Sequence, residues 1–189
     1  GALGVLAGRT LFGRLSSHSF TDLFHGADAE GRRFALYEGT LTRRQGKNSV
    51  TVFTGQIYAF QRRSKVSGET AIVPDKGLFN FLKPKGMERV KLDSDPAFEK
   101  KFEVYSSQPA SAPGIVDGAV RRALLELREK GRVFAYVGPE DALVAVSGKN
   151  RFEAGSMFRA TPGEQRARRM FDEVRESLAI LGRLKRELD

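Results

Sequence analysis

Histidine is the residue type best suited to metal binding and acid–base chemistry, and this chain contains only two. His18 and His25 flank Asp22, and on a helix the three side chains would share one face. Such a set could hold a divalent cation such as Zn²⁺. A polar helix rim explains the same spacing, because short His/Asp spacings arise readily by chance. The sequence therefore permits a metal site here without requiring one.

Other catalytic chemistry has little support. Cysteine is absent, which excludes disulfides, thiolate metal sites and cysteine nucleophiles. The carboxylates Asp93, Asp95, Glu99 and Glu103 lie near a predicted turn, where solvated side chains are a simpler interpretation than an acid–base pair in a cleft. No nucleophile elbow, phosphate-binding loop or dinucleotide motif is present. The sequence indicates no catalytic residue, cofactor or small-molecule substrate, and the enzymatic alternative is a metal-dependent hydrolase that uses residues 16–31.

Basic residues dominate the charge, since 32 Lys and Arg against 23 Asp and Glu give a net charge of +9. Such an excess favours anionic partners, or it serves solubility. The candidates for binding an anionic surface are Arg43, Arg44, Lys47, Arg62, Arg63 and Lys65, in two predicted turns. If the turns lie at one end of a sheet, their charges converge, and each contributes about 1 kcal/mol near an anionic membrane.

Aromatic residues help to choose among anionic partners. Surfaces that bind nucleic acid interleave aromatic side chains with cations, so that bases can stack. Here Tyr37, Phe53, Tyr58 and Phe60 lie in strands whose alternation predicts that most of them pack inside. A membrane surface or a protein partner is therefore favoured over nucleic acid.

Hydrophobic periodicity predicts an α+β fold. Strands are predicted over residues 33–43, 50–61, 69–73, 87–92, 101–105, 133–137 and 142–147. Helices are predicted over residues 113–130, with Gly131 as the terminating cap, and from Thr161 to the end of the chain. Adjacent hairpins indicate a largely antiparallel sheet of about six to seven strands with two main helices packed on one face. Gly55 inside a strand predicts a bulge or a close approach of two backbones.

The first 31 residues differ in pattern from the rest. Leu11, Phe12, Leu15 and Phe20 recur at roughly helical spacing, so residues 1–31 are predicted to form a short helix or two followed by a loop. Residues 32–189 then form a single α+β domain. No apolar run approaches the ~20 residues that a membrane-spanning helix needs. The apolar start and the missing initiator Met indicate a processed or truncated chain that follows a signal peptide or a membrane segment.

Several segments resemble a family of uncharacterised bacterial domains. They are residues 11–13 (LFG), 20–31 (FTDLFHGADAEG), 52–56 (VFTGQ), 90–92 (VKL), 95–105 (DPAFEKKFEVY) and 150–153 (NRFE). In order and wording they are similar to the domain-of-unknown-function family numbered 3137, and residues 95–105 are the most specific part. Members look like membrane-tethered proteins, so the resemblance implies an N-terminal anchor ahead of this domain. It implies no activity and no site residue.

The charge and the resemblance together predict a domain on the cytoplasmic side of a membrane, tethered by segments that this chain lacks. We expect it to bind or scaffold an anionic surface or a protein partner. A metal-dependent hydrolase and a nucleic-acid-binding module are the alternatives.

Overall fold

The strands of this chain pair into one sheet. The computed structural model describes residues 11–12, 15–63, 65–75, 84–148 and 178–188, and for residues 21–24 the backbone alone. The strands are β1 (Ser17–Ala27), β2 (Arg33–Gln45), β3 (Asn48–Gln61), β4 (Thr70–Pro74), β5 (Glu88–Val90), β6 (Phe102–Ser106), β7 (Val133–Val137) and β8 (Asp141–Ser147). Their order is β1-β2-β3-β8-β7-β4-β6-β5, and each neighbouring pair is antiparallel. The predicted largely antiparallel sheet is confirmed.

Within residues 1–31, β1 corrects the prediction over Ser17–Ala27. It pairs with β2 from Ser17↔Thr42 to Ala27↔Arg33, where the sequence predicts a short helix or two and a loop. Pairing with a neighbouring strand satisfies the backbone hydrogen-bonding groups and overrides a weak local periodicity. With β1 the described sheet has eight strands, more than the six to seven predicted. A boundary at residue 31 would separate β1 from the sheet to which it belongs.

The helices are small. They include α1 (Pro96–Glu99), a 3₁₀ turn (Pro109–Ser111), α2 (Ala112–Ile115) and α3 (Gly118–Arg128). The single helix predicted over residues 113–130 is broken at Val116, whose ψ of 57° leaves the helical region. Asp117 then caps α3, because its carboxylate accepts hydrogen bonds from the backbone N–H groups of Ala119 (2.8 Å) and Val120 (2.9 Å). No helix among the described residues is long and apolar enough to cross a membrane.

Residues 178–188 form the last helix, α4. The predicted start of this helix at Thr161, and the upstream part of its apolar stripe, lie outside the described residues. The buried side chains of α4 are Ile180, Leu181, Leu184 and Leu188. Their spacing defines one face of a helix. On another face, Arg183 donates a hydrogen bond to Glu126 of α3 over 2.6 Å.

Apolar side chains cover both faces of the sheet. On the first face α3 and α4 pack over the central strands. The second core lies on the other face and comprises Leu11, Phe12, Leu41, Val52, Phe53, Ile57, Ala71, Val73, Met87, Phe134, Tyr136, Leu143 and Ala145. The ring centroid of Phe12 lies 5.2 Å from that of Phe53 and 4.7 Å from that of Phe134. Because both faces are covered, all five residues of β7 are buried.

Two glycines allow backbones to approach the end of β8. A Cβ on Gly55 would lie 2.1 Å from the carbonyl oxygen of Val146, so the close approach predicted at Gly55 is confirmed. A Cβ on Gly131 would lie 1.7 Å from the carbonyl oxygen of Ser147. The φ of Gly131 is not left-handed. Close packing against β8, and not a left-handed helix cap, therefore requires this glycine.

Candidate functional site

The β2–β3 hairpin extends beyond the neighbouring described strands. β3 has 14 residues, but it pairs with β8 only over Gly55–Gln61. On the other side, the pairing of β1 with β2 begins at Ser17↔Thr42. Residues 43–50, which we call the hairpin tip, are therefore paired with neither β1 nor β8.

The register of the hairpin tip fixes which side chains share a face. Its cross-strand pairs are Arg43↔Val50, Arg44↔Ser49 and Gln45↔Asn48. Gly46 and Lys47 form the turn, and the φ of Gly46 is +63°, a left-handed conformation that favours glycine. Because strand side chains alternate, Arg43 and Val50 lie on one face and Arg44 on the other.

The hairpin tip is cationic and accessible. Arg43 is half-buried, and residues 44–50 are exposed. No acidic residue occurs between Glu38 and Glu69 in the sequence. Arg44 donates from Nε to the backbone oxygen of Gly46 over 3.4 Å, a contact that leaves its charge in place. The tip thus carries three positive charges and no negative charge of its own.

The second predicted basic group, Arg62, Arg63 and Lys65, lies at the opposite end of β3. At about 3.3 Å per residue, that strand separates the two groups by roughly 45 Å. Arg62 donates to the carbonyl oxygens of Leu188 (2.5 Å) and Gly138 (3.2 Å). Lys65 forms an ion pair with Glu140 over 3.2 Å. The six predicted residues therefore form two separate groups, and the second is engaged in contacts within the fold.

The predicted metal residues lie on β1 and not on a helix. A bulge after Asp22 brings His25 to the face of His18, and these histidines pair with Ala35 and Leu41, six positions apart on β2. Six strand residues span about 20 Å, whereas ligand atoms sit about 2 Å from a zinc ion. The two imidazoles therefore cannot bind the same ion in this strand. No group of three or more possible metal ligands occurs among the residues that the structure describes.

The carboxylates near the predicted turn have structural partners or face solvent. Asp95 caps α1 by accepting a hydrogen bond from the backbone N–H of Phe98 over 3.0 Å. Glu99 accepts from the backbone N–H of Leu92 over 2.8 Å. Asp93 is exposed. These contacts define a stabilised turn. Only Asp93 is solvated as the sequence predicts, whereas Asp95 and Glu99 are partly buried and hold the backbone.

Glu103 belongs to a polar cluster on β6. Its carboxylate accepts a hydrogen bond from the Tyr105 hydroxyl over 2.8 Å and lies 3.2 Å from the Arg89 guanidinium. Burial of the phenol, followed by the Glu103 carboxylate, raises the pKa of Tyr105 to about 12. The phenol therefore remains protonated at neutral pH and acts as a hydrogen-bond donor.

A second tyrosine–carboxylate pair links β7 to the start of β4. The hydroxyl of Tyr136 donates to Glu69 over 2.5 Å, and burial together with this carboxylate raises the pKa of Tyr136. The Ser106 hydroxyl donates to the backbone oxygen of Glu69 over 3.1 Å, and the Ser107 hydroxyl accepts from its backbone N–H over 2.8 Å. These hydroxyls hold strand ends together, and the described residues place no histidine beside them.

Two grooves are lined by described residues. One, of about 320 Å³, lies between Arg62, Ser111 and Glu187. The other, of about 370 Å³, lies between residues 51–54 and Arg132. The described lining of each groove contains no histidine and no pair of carboxylates, so neither offers the groups that acid–base catalysis needs.

The chain joins the sheet beside the base of the hairpin tip. The backbone N–H of Ser16 donates to the carbonyl oxygen of Thr42 over 2.9 Å. Leu11 and Phe12 are fully buried in the second core, where Phe12 contacts Phe53. Phe53 lies on β3, three residues after Val50, or about 10 Å along the strand. Sequence patterns alone gave no sign of this proximity.

The fold and the hairpin tip together define a class of protein, an antiparallel-sheet domain with a basic projection. Residues 51–186 match the family described as a protein of unknown function, DUF3137. The match covers most of the chain, so the chain belongs to this family, and the resemblance seen in the sequence is confirmed.

No curated protein matches this chain. The crystal structure of the mycobacterial trehalose monomycolate transport factor A, TtfA, is similar over 90% of this chain and 89% of that chain, with 12% sequence identity and a TM-score of 0.42.

Proposed function

We propose that this chain is a membrane-proximal binding domain whose hairpin tip contacts an anionic lipid surface on the cytoplasmic side of a membrane. One observation carries the proposal: the tip projects past β1 and β8 with three cations and no acidic residue. Anionic lipid headgroups attract any protein surface that is accessible and positively charged. The six residues predicted from the sequence are thereby reduced to Arg43, Arg44 and Lys47.

The chemistry of the tip favours lipid over nucleic acid. Proteins that bind single strands stack bases on exposed aromatic side chains. The hairpin tip contains no aromatic residue, and the next aromatic residue along β3, Phe53, is only 1% exposed. An acidic protein surface is the remaining alternative, and it becomes the preferred partner if lipid binding fails.

The expected affinity suits a domain that is already held near its target. Three cations at about 1 kcal/mol each contribute about 3 kcal/mol, which corresponds to roughly 150-fold in binding. This gain is enough to orient a domain that is tethered to the membrane, because tethering already raises its local concentration there. A free domain would be recruited only weakly. An anchor ahead of Leu11 would hold the end of the sheet that carries the tip toward the membrane, because Ser16 joins the sheet at Thr42.

Vesicle co-sedimentation tests the proposal. We expect the protein to bind vesicles that contain phosphatidylglycerol and not vesicles of phosphatidylcholine alone. Binding should weaken toward 1 M salt, where the Debye length is about 3 Å. Equal failure on both vesicles would remove the lipid surface and leave a protein partner. Equal binding to both would contradict a role for charge.

A further inference from the structure

Val50 is an apolar side chain in a polar setting. It is 42% exposed, and within the part of the chain that the structure describes no other large hydrophobic side chain is exposed. Its neighbours in the hairpin tip are basic and polar. Single exposed apolar side chains are common on protein surfaces, so the direction of Val50 and its basic neighbours decide what this side chain can bind.

The register explains which way Val50 faces. Val50 pairs with Arg43, and Arg43 lies two residues after Leu41 on β2, so the three side chains share a face. Leu41 is fully buried in the second core. Val52 has no cross-strand partner, because the register shifts between Leu41↔Phe53 and Thr42↔Thr51. Val50 thus continues the face of the second core beyond the point where pairing with β1 and β8 ends.

We propose that the hairpin tip inserts Val50 into the interface of an anionic phospholipid bilayer while Arg43, Arg44 and Lys47 contact the phosphates. The proposal rests on the proposed function and adds a depth and an orientation to it. Arginine and lysine keep their charged ends at the headgroups while their aliphatic stems lie along apolar surface. Basic residues beside an exposed apolar side chain are the combination that an anionic bilayer interface accepts.

The composition of the chain provides a clean reporter. No tryptophan is present, so Val50→Trp introduces a single indole fluorophore at the site. Ser49→Trp is the matched control, because Ser49 is exposed and pairs with Arg44 on the opposite face of the same tip. Both variants replace exposed side chains, and circular dichroism would verify that each retains the sheet.

On vesicles that contain phosphatidylglycerol, we expect the emission of the Val50→Trp variant to shift to the blue and to be quenched by brominated lipid chains. The emission of the Ser49→Trp variant should remain close to its value in water. Val50→Thr keeps the β-branched shape but replaces one methyl group with a hydroxyl, and we expect it to lower vesicle partitioning about threefold.

Each outcome separates this inference from the proposed function. Binding without a blue shift or quenching at position 50 overturns insertion and leaves the charge-based contact standing. No vesicle binding by the unaltered protein overturns both. A blue shift that grows with protein concentration in the absence of vesicles identifies self-association through the tip and also overturns insertion.

Discussion

The ammonium group of Lys185 lies 2.5 Å from Oδ2 of Asp28, a contact that joins α4 to the turn between β1 and β2. The same carboxylate accepts hydrogen bonds from the side chain of Arg32 over 2.8 Å and from the backbone N–H groups of Arg32 and Glu30. These donors, with Lys185 first, hold the pKa of Asp28 well below its usual range. Asp28 therefore couples the last helix to the opposite end of the chain.

This contact predicts an acid dependence of stability. A carboxyl group with a depressed pKa in the folded state stabilises the fold above its unfolded pKa of about 3.9 and loses that contribution as the pH falls. We expect Asp28→Asn to lower the urea midpoint at pH 7. Below about pH 4, the variant should lose less stability with falling pH than the unaltered protein does. Asp93→Asn, at an exposed turn, is the control, and its urea midpoint should match that of the unaltered protein at each pH. An unchanged midpoint for Asp28→Asn would remove the proposed coupling.

Gly131 should tolerate no side chain. A methyl group there would lie 1.7 Å from the backbone oxygen of Ser147, so the strand must shift. We expect Gly131→Ala to destabilise the protein by about 2–4 kcal/mol in urea unfolding. Gly114→Ala is the matched control, since a Cβ there meets nothing within 4 Å. Equal stability of the two variants would show that the chain does not pass this close to β8.

Arg62 is predicted to be a structural residue despite its place in a basic turn. Its guanidinium donates to the carbonyl oxygens of Leu188 and Gly138, which would lose these donors in Arg62→Gln. We expect a loss of about 1–3 kcal/mol in unfolding free energy and no change in vesicle binding. Arg44→Gln should weaken vesicle binding and leave the unfolding free energy unchanged. A large loss of vesicle binding in Arg62→Gln, with unchanged stability, would move the lipid contact to the other end of β3.

Tyr105 provides a prediction at high pH. Its raised pKa of about 12 means that its folded-state stabilisation is complete below pH 10 and disappears as the pH rises through 12. In an absorbance titration of the phenols, Tyr105→Phe should remove a step near pH 12. Glu103→Gln should move that step to lower pH, because it removes the neighbouring negative charge. If Glu103→Gln leaves the pH of this step unchanged, the hydrogen bond between the two side chains is contradicted.

The sequence predicted most strands well because each carries its own signal. Residues 50–61 alternate and are bounded by turn residues, and β3 occupies Asn48–Gln61. The sequence predicts no strand at β1, because Ser17–Ala27 mixes small, polar and aromatic residues and is a strand only through its partner β2. Strand order, including the placement of β8 between β3 and β7, depends on distant pairings that local patterns do not encode.

The candidate site could be predicted in part. Arg43, Arg44 and Lys47 were identified from the sequence as members of a basic turn. The sequence also implies their separation from Arg62, because turns at the two ends of one strand must lie at opposite ends of a sheet. The exposure of Val50 was not available, because burial of an alternating residue depends on what the neighbouring strands cover.

The most direct test compares two triple variants of equal charge. Arg43→Gln/Arg44→Gln/Lys47→Gln alters the hairpin tip, and Arg33→Gln/Arg63→Gln/Lys65→Gln alters exposed residues at the other end of the sheet. Each reduces the net charge from +9 to +6, because three positive charges are removed (9 − 3 = 6). At low salt, we predict that the tip variant loses about 150-fold in affinity for phosphatidylglycerol vesicles and that the other loses less than about threefold. Equal losses in the two variants would show that net charge alone governs binding and would contradict a localised site at the tip.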